Sequence, residues 1–114
     1  MSDRELLELA AKAAGIQWEH YHMQRGLCIA SKPGTMCITQ YWNPLIDDGD
    51  ALRLAVRLGV AVDRTLNRCW VFPAGAARNR PCEEFYEGDP YAATRRAIVR
   101  AAAEIGRLQE GVKE

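Results

Sequence analysis

A chain of 114 residues, 48% hydrophobic and 26% charged, can bury one core, so a single domain is expected. Fifteen basic residues balance fifteen acidic ones, and a net charge of zero leaves no global field to gather nucleic acid or an anionic membrane; either would need a local patch. No apolar stretch approaches the ~18 residues of a membrane span, and the charges of Asp3, Arg4, Glu5, Glu8 and Lys12 exclude a secretory leader there, which predicts a cytoplasmic protein.

Ser2-Asp3-Arg4-Glu5 has the spacing of a capping box, and Leu6, Leu7, Leu9, Ala10, Ala13 and Ala14 form an apolar stripe that Gly15 ends. A helix over 3–14 follows. Ile16 to His22 is rich in aromatics, and Leu27 to Ala30 and Met36 to Tyr41 are short apolar runs. Ser31-Lys32-Pro33-Gly34 between those runs suits a type II turn, so the three segments predict an antiparallel meander.

Tyr41-Trp42-Asn43-Pro44-Leu45 with Asp47-Asp48-Gly49-Asp50 then opens a second helix: aromatics precede a Pro-containing turn whose carboxylates can cap free N–H groups. Its apolar residues Ala51, Leu52, Leu54, Ala55, Val56 and Leu58 leave only Arg53 and Arg57 as a polar stripe. So narrow a stripe predicts the buried centre of the fold, where Leu52→Ala or Val56→Ala would cost about 2 to 4 kcal/mol each.

Val60 to Val62 and Cys69 to Phe72 predict a second strand pair across a turn at Arg64-Thr65-Leu66-Asn67. Pro73 to Cys82 has no periodicity and reads as a loop, with Glu83 and Glu84 as its solvated end. The helix-opening pattern recurs at Phe85-Tyr86-Glu87-Gly88-Asp89-Pro90-Tyr91. A last helix is predicted from there to about Leu108, with Tyr91, Thr94, Ala97, Ile98, Ala101, Ala102 and Ile105 inward and Arg95, Arg96, Arg100 and Glu104 outward. The domain then spans 1–109, with 110–114 as a frayed tail. The order α-β-β-β-α-β-β-α with hairpin-length links predicts an α+β layered α/β/α sandwich: a mostly antiparallel sheet of four to five strands with three helices.

The run from Trp42 through Asn43-Pro44-Leu45-Ile46-Asp47-Asp48-Gly49-Asp50 to Val56, together with Asp89-Pro90-Tyr91 through Thr94-Arg95-Arg96 to Val99, resembles small uncharacterised bacteriophage and prophage proteins akin to the phage ABA-sandwich domain. The resemblance implies a bacterial or prophage origin and a three-layer α-β-α arrangement. It brings no catalytic residues.

His20-Tyr21-His22 on a strand puts both imidazoles on one face, where they could share zinc with a nearby Cys or carboxylate, but two further ligands at recognisable spacing are missing. Cys28, Cys37, Cys69 and Cys82 have no C-x-x-C spacing and read as free thiols. Asp47, Asp48 and Asp50 lack the Gly and Glu of a calcium loop and read as caps, as does Asp89. Glu83 and Glu84 point to opposite sides of an extended segment, which separates them as an acid/base pair. With no G-x-S-x-G, no phosphate-cradling glycine loop and no histidine beyond His22, no enzyme and no cofactor is indicated. Arg95, Arg96 and Arg100, to which Arg78 and Arg80 could add, form a basic face whose plainer reading is solvation.

What remains is a non-enzymatic phage or prophage accessory protein that binds another protein in the host cytoplasm. The candidate partner-binding residues are Trp42, Asn43, Tyr86 and Tyr91 at the two helix openings. The alternatives are a nucleic-acid-associated protein using Arg95, Arg96 and Arg100, and a metal-dependent module on His20 and His22.

Overall fold

The Ser2 hydroxyl accepts the Glu5 N–H at 3.2 Å and so starts α1 (Asp3–Ala14), which ends on Gly15. The computed structural model describes residues 1–29, 40–73 and 81–112. Strands β1 (Trp18–His22), β2 (Gly26–Ile29) and β3 (Gln40–Trp42) form an antiparallel sheet in that order, the expected meander. Its Ser31 to Gly34 turn lies outside the described residues. Alternation sets the faces: Leu27 pairs with Tyr21 and with Trp42, so all three look to one side. That side meets α1, where Leu27 and Trp42 are buried and the Arg4 guanidinium sits 5.4 Å from the Tyr21 ring centre.

Asp47 Oδ2 accepts the Asp50 N–H at 2.8 Å and starts α2 (Asp48–Leu58). A second antiparallel sheet follows, β4 (Ala61–Arg64), β5 (Arg68–Phe72) and β6 (Cys82–Phe85), in that order. Its buried face, Cys69, Val71 and Cys82, lies against α3 (Pro90–Val112).

Helix α3 also packs against α2 and, over the broadest helix contact of the fold, against α1. Many of the buried side chains on these two helices are small: Ala10, Ala11 and Ala14 on α1, and Ala97, Ala101, Ala102 and Ala103 on α3. Within their contact a Cβ built on Gly106 would strike the Leu9 carbonyl. Here backbone meets backbone.

The architecture is thus α+β with three helices, in the expected order with one strand added. The expected single sheet of four to five strands is instead two three-stranded sheets. The added strand is β6, read from sequence as a loop end because its charges break the alternation of a half-buried strand. Glu84 is nonetheless on the inward face beside Cys69, where an ion pair with Arg100 of α3 satisfies it. Helix α3 runs past its expected end at about Leu108, to Val112.

The largest correction concerns α2. Ala51, Leu54 and Ala55 face the core, but Leu52 is 65% exposed and Val56 73%. Each lies one residue, about 100° of helical rotation, past Ala51 and Ala55, beyond the stripe that one packed layer covers. Leu54→Ala should therefore cost about 2 to 4 kcal/mol, while Leu52→Ala and Val56→Ala should stay within about 0.5 kcal/mol, as read from urea denaturation midpoints. Gly106→Ala should lower stability by about 1 to 3 kcal/mol on the same assay, although the exchange normally favours a helix interior by ~0.5–1 kcal/mol.

Candidate functional site

Both helix openings act first as structural joints. Asn43, 8% exposed, accepts the Leu45 N–H on Oδ1 at 3.1 Å, and its main-chain carbonyl accepts the Ile46 and Asp47 N–H groups at 3.1 and 2.9 Å. Its own N–H donates to Asp50 Oδ2 at 3.0 Å, and Asp50 Oδ1 takes the Arg53 guanidinium at 2.8 Å. The turn before α2 is thereby locked from both ends. Gly26 lies against it at φ +96°, and a Cβ there would come within 2.5 Å of the Trp42 carbonyl oxygen.

Trp42 itself is 6% exposed and belongs to the core. Sequence spacing places Trp42 and Asn43 at a docking surface. The structure puts them inside, because the aromatic ring belongs to the core cluster and the amide is consumed by the turn.

At the second opening Asp89 Oδ1 accepts the Tyr91 and Ala92 N–H groups at 3.0 and 3.2 Å, the expected cap. The Tyr86 hydroxyl accepts Arg64 Nε at 2.9 Å, and that hydrogen bond pushes the already high Arg64 pKa further up. Tyr91 is 68% exposed, so it stands outside the inward face expected for α3. The four candidate residues do not form one surface. Two are buried, Tyr86 is held by Arg64, and Tyr91 stands beside Leu52 in a shallow cleft of about 280 Å³ between α2 and α3.

A larger open groove, about 810 Å³, runs between α2 and the first sheet, lined by Ile16, Ile29, Tyr41, Leu52, Val56 and Arg57. Leu52 borders both depressions. Sequence reasoning missed this groove because it assigned every apolar residue of α2 to the core. The available signal was an excess: six apolar positions among the eight residues 51–58 exceed what a helix packed on one side can bury.

The arginines expected to point outward instead hold α3 to its neighbours. Arg95 donates to the Leu45 carbonyl at 2.9 Å and pairs with Asp48 at 2.6 Å; Arg96 pairs with Asp3 at 3.2 Å. Arg100 donates to the Glu83 carbonyl at 2.9 Å and pairs with Glu84. A nucleic-acid phosphate would have to displace these carboxylates.

His22 accepts the Gln24 and Arg25 N–H groups on Nδ1, both at 3.2 Å, and packs edge-on against Tyr41 with ring centres 5.7 Å apart. Nδ1 of His22 is thereby engaged by the turn after β1.

Cys28, Cys69 and Cys82 are free and buried, and burial pushes the Cys82 thiol above its ordinary pKa; Cys37 lies outside the described residues. No described helix is long and apolar enough to cross a membrane. No family model, no curated protein and no solved structure matches this chain.

If Asn43 is the joint that seats α2, Asn43→Ala should cost about 1 to 3 kcal/mol, since it strips the Leu45 N–H of its acceptor inside the turn. Tyr91→Ala should change stability by no more than about 0.5 kcal/mol. Thermal unfolding of the two variants compares them directly.

Proposed function

We propose that the chain is a small phage or prophage accessory protein that works in the bacterial host by binding another protein. Its partner lays one amphipathic helix, apolar on one side and carrying an acidic residue, along the groove between α2 and the first sheet. The observation that carries this reading is the exposed pair Leu52 and Val56, one turn apart on α2 and facing Ile16 and Ile29 across the groove. Side chains at i and i+4 offer a helical ligand a ridge to pack against, and covering each is worth on the order of 1.5 to 3 kcal/mol.

The charge of the ligand follows from the rim. Arg53 is already neutralised by Asp50 and Asp47, at 2.8 and 3.9 Å. Arg57 reaches over Gly15 at the end of α1 and, among the described residues, has no carboxylate partner. A ligand carboxylate at that rim would pair with it and fix the ligand's direction. The resemblance of residues 42–56 and 89–99 to phage proteins supports the origin, and its first segment includes the helix that presents the ridge.

A displayed library of helical peptides tests the reading. The protein should enrich sequences with apolar residues at i and i+4 and an Asp or Glu beside them, and Arg57→Glu should shift that preference to Lys or Arg. The double variant Leu52→Asp/Val56→Asp should bind the enriched peptides at least about tenfold more weakly, a loss of about 1.4 kcal/mol, with its thermal midpoint retained. Peptides that bind this double variant as well as the parent protein would overturn the proposal.

A further inference from the structure

A different cluster lies on the opposite face of the first sheet. Trp18 pairs with Ile29 and His20 with Cys28, so β1 uses two steps where β2 uses one, and Glu19 is the extra residue of a bulge. In a regular strand Glu19 would point away from His20. The bulge re-aims it. His20 and Cys28, directly opposed across the strand pair, share one face, and the donor atoms of Glu19, His20 and Cys28 all lie within 4.8 Å of one another. Cys28 is buried at the floor, its Sγ near the Ile29 carbonyl at 4.0 Å, while Glu19 and His20 are exposed above it.

We propose that Glu19, His20 and Cys28 form a binding site for a borderline divalent metal ion, best fitted by Zn²⁺. One thiolate, one imidazole and one carboxylate are the donor types zinc takes, whereas a hard cation such as Ca²⁺ or Mg²⁺ would reject the sulfur. A tetrahedral ion with bonds of ~2.0–2.3 Å needs its donors roughly 3.3–3.7 Å apart. Rotation of the exposed Glu19 and His20 side chains onto the fixed sulfur closes the remaining gap. With three protein ligands, the fourth position faces solvent and takes water. His22, two residues along the same strand face, is outside the site because its Nδ1 belongs to the turn. The groove draws Ile29 and Trp42 from the other face of the sheet and shares with this face only Tyr41, the β3 partner of Cys28, which is none of the three ligands.

Co²⁺ added to the metal-free protein, purified without a metal-affinity tag, reads the geometry directly. One equivalent should give the intense visible bands of tetrahedral cobalt and a thiolate-to-cobalt charge-transfer band, and Zn²⁺ should displace both. Cys28→Ser should abolish the charge-transfer band. Glu19→Gln and His20→Gln, both surface changes that leave the thermal midpoint in place, should each weaken binding at least about tenfold, and His22→Gln should leave it unchanged. A weak octahedral spectrum, a charge-transfer band that survives Cys28→Ser, or affinity untouched by both Glu19→Gln and His20→Gln would overturn the proposal. Should Cys28→Ser fail to fold, the two surface variants still decide the matter.

Discussion

Where α1 and α3 cross, Gly106 lies so close to the Leu9 carbonyl that even a methyl group has no room, and the small Ala103, three residues back along α3, is buried as well. Small side chains let helical backbones approach closely, which gains dispersion contacts along the whole seam but tolerates no added volume. The rest of the molecule hangs from that seam. One sheet turns its Leu27 and Trp42 to the side that meets α1, the other packs Cys69 and Val71 on α3, and α2 packs against α3 and α1, burying Ala51, Leu54 and Ala55.

Polar contacts then orient what the seam brings together. Arg95, Arg96 and Arg100 leave α3 toward Asp48, Asp3 and Glu84, so one helix sends a guanidinium to α2, to α1 and to β6. Partly exposed pairs of this kind add little stability individually. Their value is directional, because each fixes the rotation of α3 against a different neighbour. Asn43 performs the same service in the interior, where its amide and its main-chain groups use the turn to aim α2.

Local signals in the sequence carried well to the structure. The Ser2 cap, the Asp47 and Asp89 caps and the Gly15 stop act through residues two to four apart, so spacing alone identifies them. Questions of which face is covered did not carry. Leu52 and Val56 look like core residues until the number of layers touching α2 is known, and Glu84 looks like a loop residue until Arg100, sixteen positions away, is placed beside it. The candidate site shows the same division. Trp42 and Tyr91 stand in equivalent phrases, yet one is buried and the other open, because the first is the inward end of a sheet strand and joins the core cluster while the second stands on the first turn of a helix at the edge of a cleft. His20 and Cys28 become neighbours only through the register of β1 on β2, and Glu19 joins them only through a bulge that no spacing rule announces.

The seam between α1 and α3 also sets an order of events during synthesis. Helix α1 leaves the ribosome before α3, so Leu9 waits for the whole stretch up to Gly106. Until α3 emerges, α1 can lean only on the first sheet and α2, and the face that Gly106 will meet stays uncovered. Joining segments so far apart in sequence carries a large loop-closure entropy, which slows the final collapse. The growing chain therefore passes through a stage in which a finished helix waits for its partner, exposing the kind of apolar surface that chaperones retain.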